Sequence, residues 1–225
     1  MTLTVYVHPA STVSRPVSLF IAEKGLPVAE TVVDLMNGEQ RGQAYRAINP
    51  NGLVPALTDG DFRMSECSAI LKYLASRFDC PEYPRELEQR AKVDEAMDWF
   101  NTQFYRDFGY NLLYPQLFPH HQRPDPAVQA GVVAWGREKA QAALGVLDAH
   151  ILGAADYVAN NRISIADYFG SGIVGAGALI GCTFEAYPNV RRWLGAMASL
   201  ANWARTHEVM HGFAASLKDR TFERV

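Results

Sequence analysis

The sequence predicts an α/β layer with a mixed sheet, followed by an all-α region. Short apolar runs of strand character alternate with amphipathic helical segments over roughly the first eighty residues. A tight hairpin signal, Asp59-Gly60 in "VPALTDGDFRM", sits among them. Beyond Leu87 no segment reads as strand.

The first strand is Leu3 to Val7, closed by His8-Pro9. A helix from Val13 to Lys24 follows, with Val13, Val17, Phe20 and Ile21 on its apolar face and Gly25 at its end. The second strand is "AETVVDL", Ala29 to Leu35, and a polar turn with a short helix leads to the hairpin. "CSAILKYLASRF" carries Ala69, Ile70, Tyr73, Leu74 and Phe78 at helical spacing. This gives residues 1–79 as one domain, the proline-bearing stretch 80–86 as a linker, and 87–225 as an all-helical domain. In that second domain a long aromatic-rich helix runs from Leu87 to about Leu113. Asp125-Pro126 supplies a cap and first-turn proline for another, reaching Leu152. "ISIADYFGSGIVGAGALIG" is a third, whose small residues permit close approach, and two more start at Pro188 and after Asn202.

Composition bounds the function. The chain has 225 residues, 48% of them hydrophobic and 20% charged, so a full core is expected. A net charge of −3, without any run of lysine or arginine, gives no footprint for nucleic acid. Neither a signal peptide nor an apolar run long enough to span a membrane is visible, and the three scattered cysteines lack metal or redox spacing. They read as reduced thiols of a cytoplasmic protein. His120-His121 has no acidic or thiolate company and reads as a loop pair, leaving no expected metal site.

The chemistry gathers at "HPASTVSRPVSLFIAEKG", residues 8–25, where a strand hands over to a helix. In an α/β layer of this order, a thioredoxin-like one, that junction often carries C-x-x-C; here the spacing reads Ser11-Thr12-Val13-Ser14. Hydroxyls cannot relay disulfides, which disfavours a disulfide reductase. They can donate hydrogen bonds to an anion at a helix N-terminus, and a ligand thiolate is such an anion. Serine and threonine before a helix are ordinarily caps and nothing more, and on this stretch alone that alternative stays open.

"INPNGLVPAL" followed by "DFRMSECSAILKYLASRF" resembles the glutathione-binding half of cytosolic glutathione transferases, nearest the theta- and delta-like classes. The order of a thioredoxin-like domain, a linker and a helical domain extends the resemblance over essentially the whole chain. It implies that Ser11 hydrogen-bonds the glutathione sulfur. It also implies that Pro55 is a cis-proline, with the Val54 backbone pairing with the cysteinyl part of the ligand. Glu66 and Cys67 would receive its γ-glutamyl end, and Gln40 and Asn51 would reach its backbone or glycyl carboxylate. Ser164 and Asp167 match the family's capping box. The resemblance further implies a transferase acting on a small hydrophobic electrophile, a homodimer, and no permanently bound cofactor, glutathione being the co-substrate. Tyr105 and Phe108 are expected to line the apolar electrophile pocket. The chain departs from the family at Cys67, where serine is usual, and at Gln40 and Gly52, where relatives often carry histidine or lysine. Those departures favour, as an alternative, a non-catalytic ligand-binding protein on the same fold.

Overall fold

The computed structural model describes residues 3–225. Four strands, β1 (Thr4–Val7), β2 (Ala29–Val32), β3 (Ala56–Asp59) and β4 (Phe62–Ser65), form one mixed sheet in the order β2-β1-β3-β4. β1 and β2 are parallel, joined through α1 (Arg15–Lys24), whereas β1–β3 and β3–β4 are antiparallel. α2 (Gln43–Arg46) lies in the crossover and α3 (Cys67–Arg77) follows β4. The expected order of elements is therefore present, with shifted boundaries. β2 stops three residues early because the Asp34 carboxylate takes the N–H groups of Met36 and Asn37, each at 3.0 Å, and turns the chain. α1 starts two residues late, since Thr12 to Ser14 form a turn ahead of it.

The rest is helical. α4 (Leu87–Trp99) begins at Glu86, whose carboxylate accepts the N–H groups of Glu88 and Gln89, a cap that sequence reading passed over. The chain then continues without a break into a wider π-helix, over Phe100–Phe104 and Arg106–Leu113, and ends in α5 (Tyr114–Leu117). α6 (Pro126–Val146) is capped by Asp125 as expected and runs on as π-helix to Leu152. α7 (Ile165–Gly175) carries the Ser164–Asp167 capping box, and a 3₁₀ turn replaces its last five expected residues up to Gly181, whose φ is 74°. α8 (Pro188–Ala198) and α9 (Trp203–Ser216) complete the bundle.

The main core is continuous from Val5 and Phe20, through α3, to Phe100, Phe169 and Trp193. α7 makes this possible. Gly172 lies flat on α1, where an added Cβ would come 2.4 Å from the Pro16 ring. One turn away, Phe20 meets Tyr168 edge-on at 5.2 Å. Asp167 is buried and accepts from Trp193 Nε1 and the Val158 N–H, both at 2.9 Å. Burial still pushes its carboxyl upward against those donors. No helix among the described residues is long and apolar enough to cross a membrane.

Candidate active site

The loop between β1 and α1 is held by its own polar groups. Ser11 N–H donates to the His8 carbonyl at 2.9 Å, and His8 Nδ1 accepts from Ala10 N–H at 3.1 Å. The two serines then divide the work. Ser14 is 1% exposed, and its hydroxyl accepts the His8 N–H at 3.3 Å. Ser11 is half-buried, and its Oγ accepts the Ser14 N–H at 3.2 Å, at the start of α1. Ser14 is the N-cap residue of α1 but makes no side-chain capping bond, and it is Ser11 that accepts an N–H there. Because Oγ is the acceptor there, the Ser11 hydroxyl proton remains available to another group.

Behind this loop lies Arg15, 1% exposed. Its Nη1 donates to the Ala10 carbonyl at 3.2 Å and its Nη2 to the Gly172 carbonyl of α7 at 3.4 Å. Its Nε is buried without a partner, and it joins no ion pair among the described residues. Burial lowers its pKa to about 10, so it stays protonated at neutral pH. A cation with no carboxylate partner among the described residues thus holds the Ala10 carbonyl, which precedes Ser11 in the chain.

A cavity of about 250 Å³ opens beside the loop. Val13, Val54, Pro55, Ser65, Glu66 and Cys67 line its sheet side. The Val54–Pro55 peptide is cis. Asn49 fixes the approach: buried, it donates to the Leu53 carbonyl at 2.7 Å and accepts Asn51 N–H at 3.1 Å, and Tyr45 Oη donates to the same carbonyl at 2.7 Å. Glu66 is exposed with φ 75° and ψ 116°, a conformation costly for a side-chain-bearing residue. It caps nothing with its carboxylate, which is left to the solvent side of the α3 N-terminus. Cys67 is buried, and desolvation, with Glu66 beside it, raises its thiol well above the ordinary value. It is a small filler and not a nucleophile.

Sequence-expected residues outside this lining are also located. Gln40 is half-buried with an unpartnered Oε1, while Asn51 is exposed. Neither of these nor Ser11 is among the cavity's lining residues. Gly52 explains its own departure: at φ 64°, a Cβ would meet the Gln40 carbonyl oxygen at 2.9 Å. A lysine or histidine there does not fit this loop.

The opposite wall comes from the π-helix, through Asn101, Tyr105, Arg106 and Tyr110. Tyr105 is among the residues that line the cavity. Phe108 is not; fully buried, it stacks on Phe104 at 4.8 Å and faces Phe184, so it belongs to the core. Asn101, Arg106 and the tyrosine hydroxyls put polar groups on this wall beside Phe169 of α7. Arg106 grips the buried Asp107 carboxylate through both Nε and Nη2, at 3.2 and 2.7 Å. Tyr105, Tyr110 and Tyr114 meet edge-on, with ring centroids 5.1 to 6.0 Å apart, and the Tyr105 and Tyr114 hydroxyls are 2.5 Å apart. An α-helix turns about 100° per residue, so nine residues would carry Tyr114 to the face opposite Tyr105. In a π-helix, with i→i+5 bonds and roughly four and a half residues per turn, nine residues make two turns. The wide helix creates the cluster.

Known proteins show the same pattern. Residues 10–77 match the model of the glutathione S-transferase N-terminal domain. Human glutathione S-transferase theta-1 is 31% identical over 201 residues, 86% of this chain and 81% of that one. The chain belongs to the glutathione transferase family. Human theta-2B is similar at 30% over 200 residues, covering 87% of this chain and 80% of its own length. Among solved structures, human glutathione transferase theta-2 in complex with glutathione superimposes with a TM-score of 0.82, at 27% identity, over 98% of this chain and 92% of that one. A delta-class glutathione transferase of Nilaparvata lugens shares the fold, with a TM-score of 0.82 over 96% of this chain and 98% of its own, at 24% identity. The protein is accordingly a glutathione transferase, an enzyme built as a thioredoxin-like domain followed by helices.

Proposed function

We propose that this transferase binds reduced glutathione along the sheet side of the cavity and that the Ser11 hydroxyl donates to its sulfur. One observation carries the reading: Ser11 Oγ accepts a helix-start N–H, which polarises the hydroxyl and leaves its proton to donate. The buried Arg15, holding the adjacent Ala10 carbonyl, adds positive potential to the same place. An ordinary thiol of pKa about 8.5 is only a few per cent ionised at neutral pH. A charge-assisted hydrogen bond of about 1.5–3 kcal/mol lowers that by roughly one to two units. In this reading the γ-glutamyl carboxylate meets the N–H groups at the start of α3 and its ammonium meets Glu66. The cysteinyl part lies along Val54 and Pro55, Cys67 backs the site, and Gln40 and Asn51 flank the glycyl end. The electrophile enters on the Tyr105 side. We further propose that the enzyme acts in the cytoplasm as a homodimer without a resident cofactor, and that its domains divide at residues 80–86.

The thiolate's ultraviolet absorbance, followed against pH with glutathione bound, tests the assignment. Ser11→Ala should raise the bound thiol's pKa by about one to two units and lower turnover at neutral pH about ten- to a hundredfold. Ser14→Ala should act through the His8 contact on stability and leave the pKa in place. Equal pKa values in Ser11→Ala and the unaltered enzyme would remove Ser11 from the chemistry.

A further inference from the structure

We propose that the thiol co-substrate this site favours is a glutathione whose glycyl end carries no negative charge, esterified or amidated, and that Leu53 sets the preference. This rests on the thiol lying along the sheet side with its sulfur at Ser11, and it specifies the other end of the molecule.

Glutathione brings two carboxylates and one ammonium group to the cleft at neutral pH. The γ-glutamyl pair is provided for, by the uncapped N–H groups at the start of α3 and by Glu66. With the cysteinyl part along Val54 and Pro55, the glycyl end runs on past Leu53, away from Glu66. No free cation lines that end. Among the residues around the cavity, Glu66 and Arg106 are the only charged ones. Arg106 stands on the opposite wall and commits both Nε and Nη2 to Asp107. Arg41 is exposed, lies outside the lining and shares the 3₁₀ turn Glu39–Arg41 with an acidic residue. A carboxylate reaching Arg41 would meet it in water, where an ion pair contributes little.

The backbone fixes what stands there instead. Tyr45 Oη and Asn49 Nδ2 both donate to the Leu53 carbonyl, each at 2.7 Å, and Val54 after it is buried. Held between them, Leu53 turns its side chain outward onto the rim of the cavity, 61% exposed. An exposed leucine is ordinary by itself. This one lines a ligand cleft where a carboxylate would come to lie. Gly52 offers no charge either: at φ 64° a Cβ would come 2.9 Å from the Gln40 carbonyl oxygen. Gln40 and Asn51 bring amides only, which hydrogen-bond an amide or ester end as readily as a carboxylate. Closing a carboxylate against Leu53 strips its water without giving it a charged partner. The alkyl group of an ester gains from the same contact, about fourfold in affinity for each methylene buried.

The test is calorimetric titration at neutral pH with glutathione and with its glycyl ethyl ester, the thiolate absorbance being followed alongside. The unaltered enzyme should bind the ester about threefold or more tightly than glutathione, a comparison that needs no variant to fold. Leu53→Lys changes an exposed side chain and should shift the ratio of the two affinities about tenfold or more toward glutathione, the gain of one charged contact. Tighter binding of glutathione than of the ester by the unaltered enzyme overturns the proposal. So does an unchanged ratio in Leu53→Lys. Arg41→Ala weakening glutathione severalfold while sparing the ester would also overturn it, because the carboxylate would then have its cation. Each of these results, with thiolate absorbance present, leaves the Ser11 reading intact. Binding of both ligands without thiolate absorbance overturns the Ser11 reading, and binding of neither overturns both.

Discussion

Glu66 pays a conformational cost that its neighbours do not. A side-chain-bearing residue at φ 75° and ψ 116° sits about 1–3 kcal/mol above an ordinary conformation. Glycine adopts such angles freely but loses about 0.5–1 kcal/mol more chain entropy on folding. Glu66→Gly should therefore leave urea-unfolding stability unchanged or raise it by up to about 2 kcal/mol. The same variant should bind glutathione about tenfold more weakly, the equivalent of one ligand contact of roughly 1.4 kcal/mol. A variant less stable than the unaltered enzyme would show that the strain is compensated locally. At this scale the sequence was informative where one residue has one neighbour. The cis Val54–Pro55 peptide was legible from resemblance and the Ser164–Asp167 box from a four-residue motif, while the roles of Ser11 and Glu66 belong to the proposed function. Asn49, buried against the Leu53 carbonyl, carried no signal of its own, because the two asparagines of "NPN" differ only in which one the turn buries.

The π-helix decides the far side of the cleft. Gly109 permits it, since a Cβ there would fall 2.5 Å from Cδ2 and Cε2 of the Tyr105 ring. Gly109→Ala should push that ring aside, at about 1–3 kcal/mol of stability. It should also change the near-ultraviolet circular dichroism of the tyrosines. Gly145→Ala makes the control: nothing lies within 4 Å of a Cβ at Gly145 in α6, so it should gain about 0.5–1 kcal/mol. Equal losses in the two variants would mean that Gly109 matters for the helix and not for the ring. Strands, hairpin and helices were readable because period two and period 3.6 differ plainly. The π segment was not. Phe100, Phe104 and Phe108 keep a spacing of four that suits an ordinary helix, and Phe108 was assigned to the pocket on that spacing. Tyr114 reaches Tyr105 only through the wider turn, which no residue type announces.

Across the whole molecule, stability should fall on the acid side through His207 in α9. Its ring stacks on Trp203 at 3.7 Å, with Nδ1 3.0 Å from the Trp203 carbonyl. Burial first, and the charge of Arg15 second, lower its pKa from 6.5 to about 3. The sign follows: between those values the unfolded chain holds a proton that the native one lacks, so stability rises with pH across the window. It is complete above 6.5 and is lost as pH falls toward 3. One such group is worth about 1.4 kcal/mol per pH unit, or roughly 2 kcal/mol at pH 5. Thermal midpoints of the enzyme and His207→Gln, measured from neutral to pH 5, should converge as the pH drops. Parallel curves would place the acid sensitivity elsewhere.

The seating of Gly172 on Pro16 also limits how such enzymes can be recombined. A chimera joined near residue 80, pairing this first half with a relative's helices, inherits a foreign residue against α1, and any side chain there collides with the proline ring. Lys24 would lose its 2.6 Å bond to Glu82 if that residue changed, and Glu23 its 2.6 Å bond from the Asn202 N–H if the α9 start shifted. If the clash moved α7 away, Arg15 would also lose the carbonyl of residue 172, one of the two bonds that hold it behind the loop bearing Ser11. The two halves of this chain fit as a pair, and gene shuffling across that seam should return active hybrids only from parents that keep the glycine.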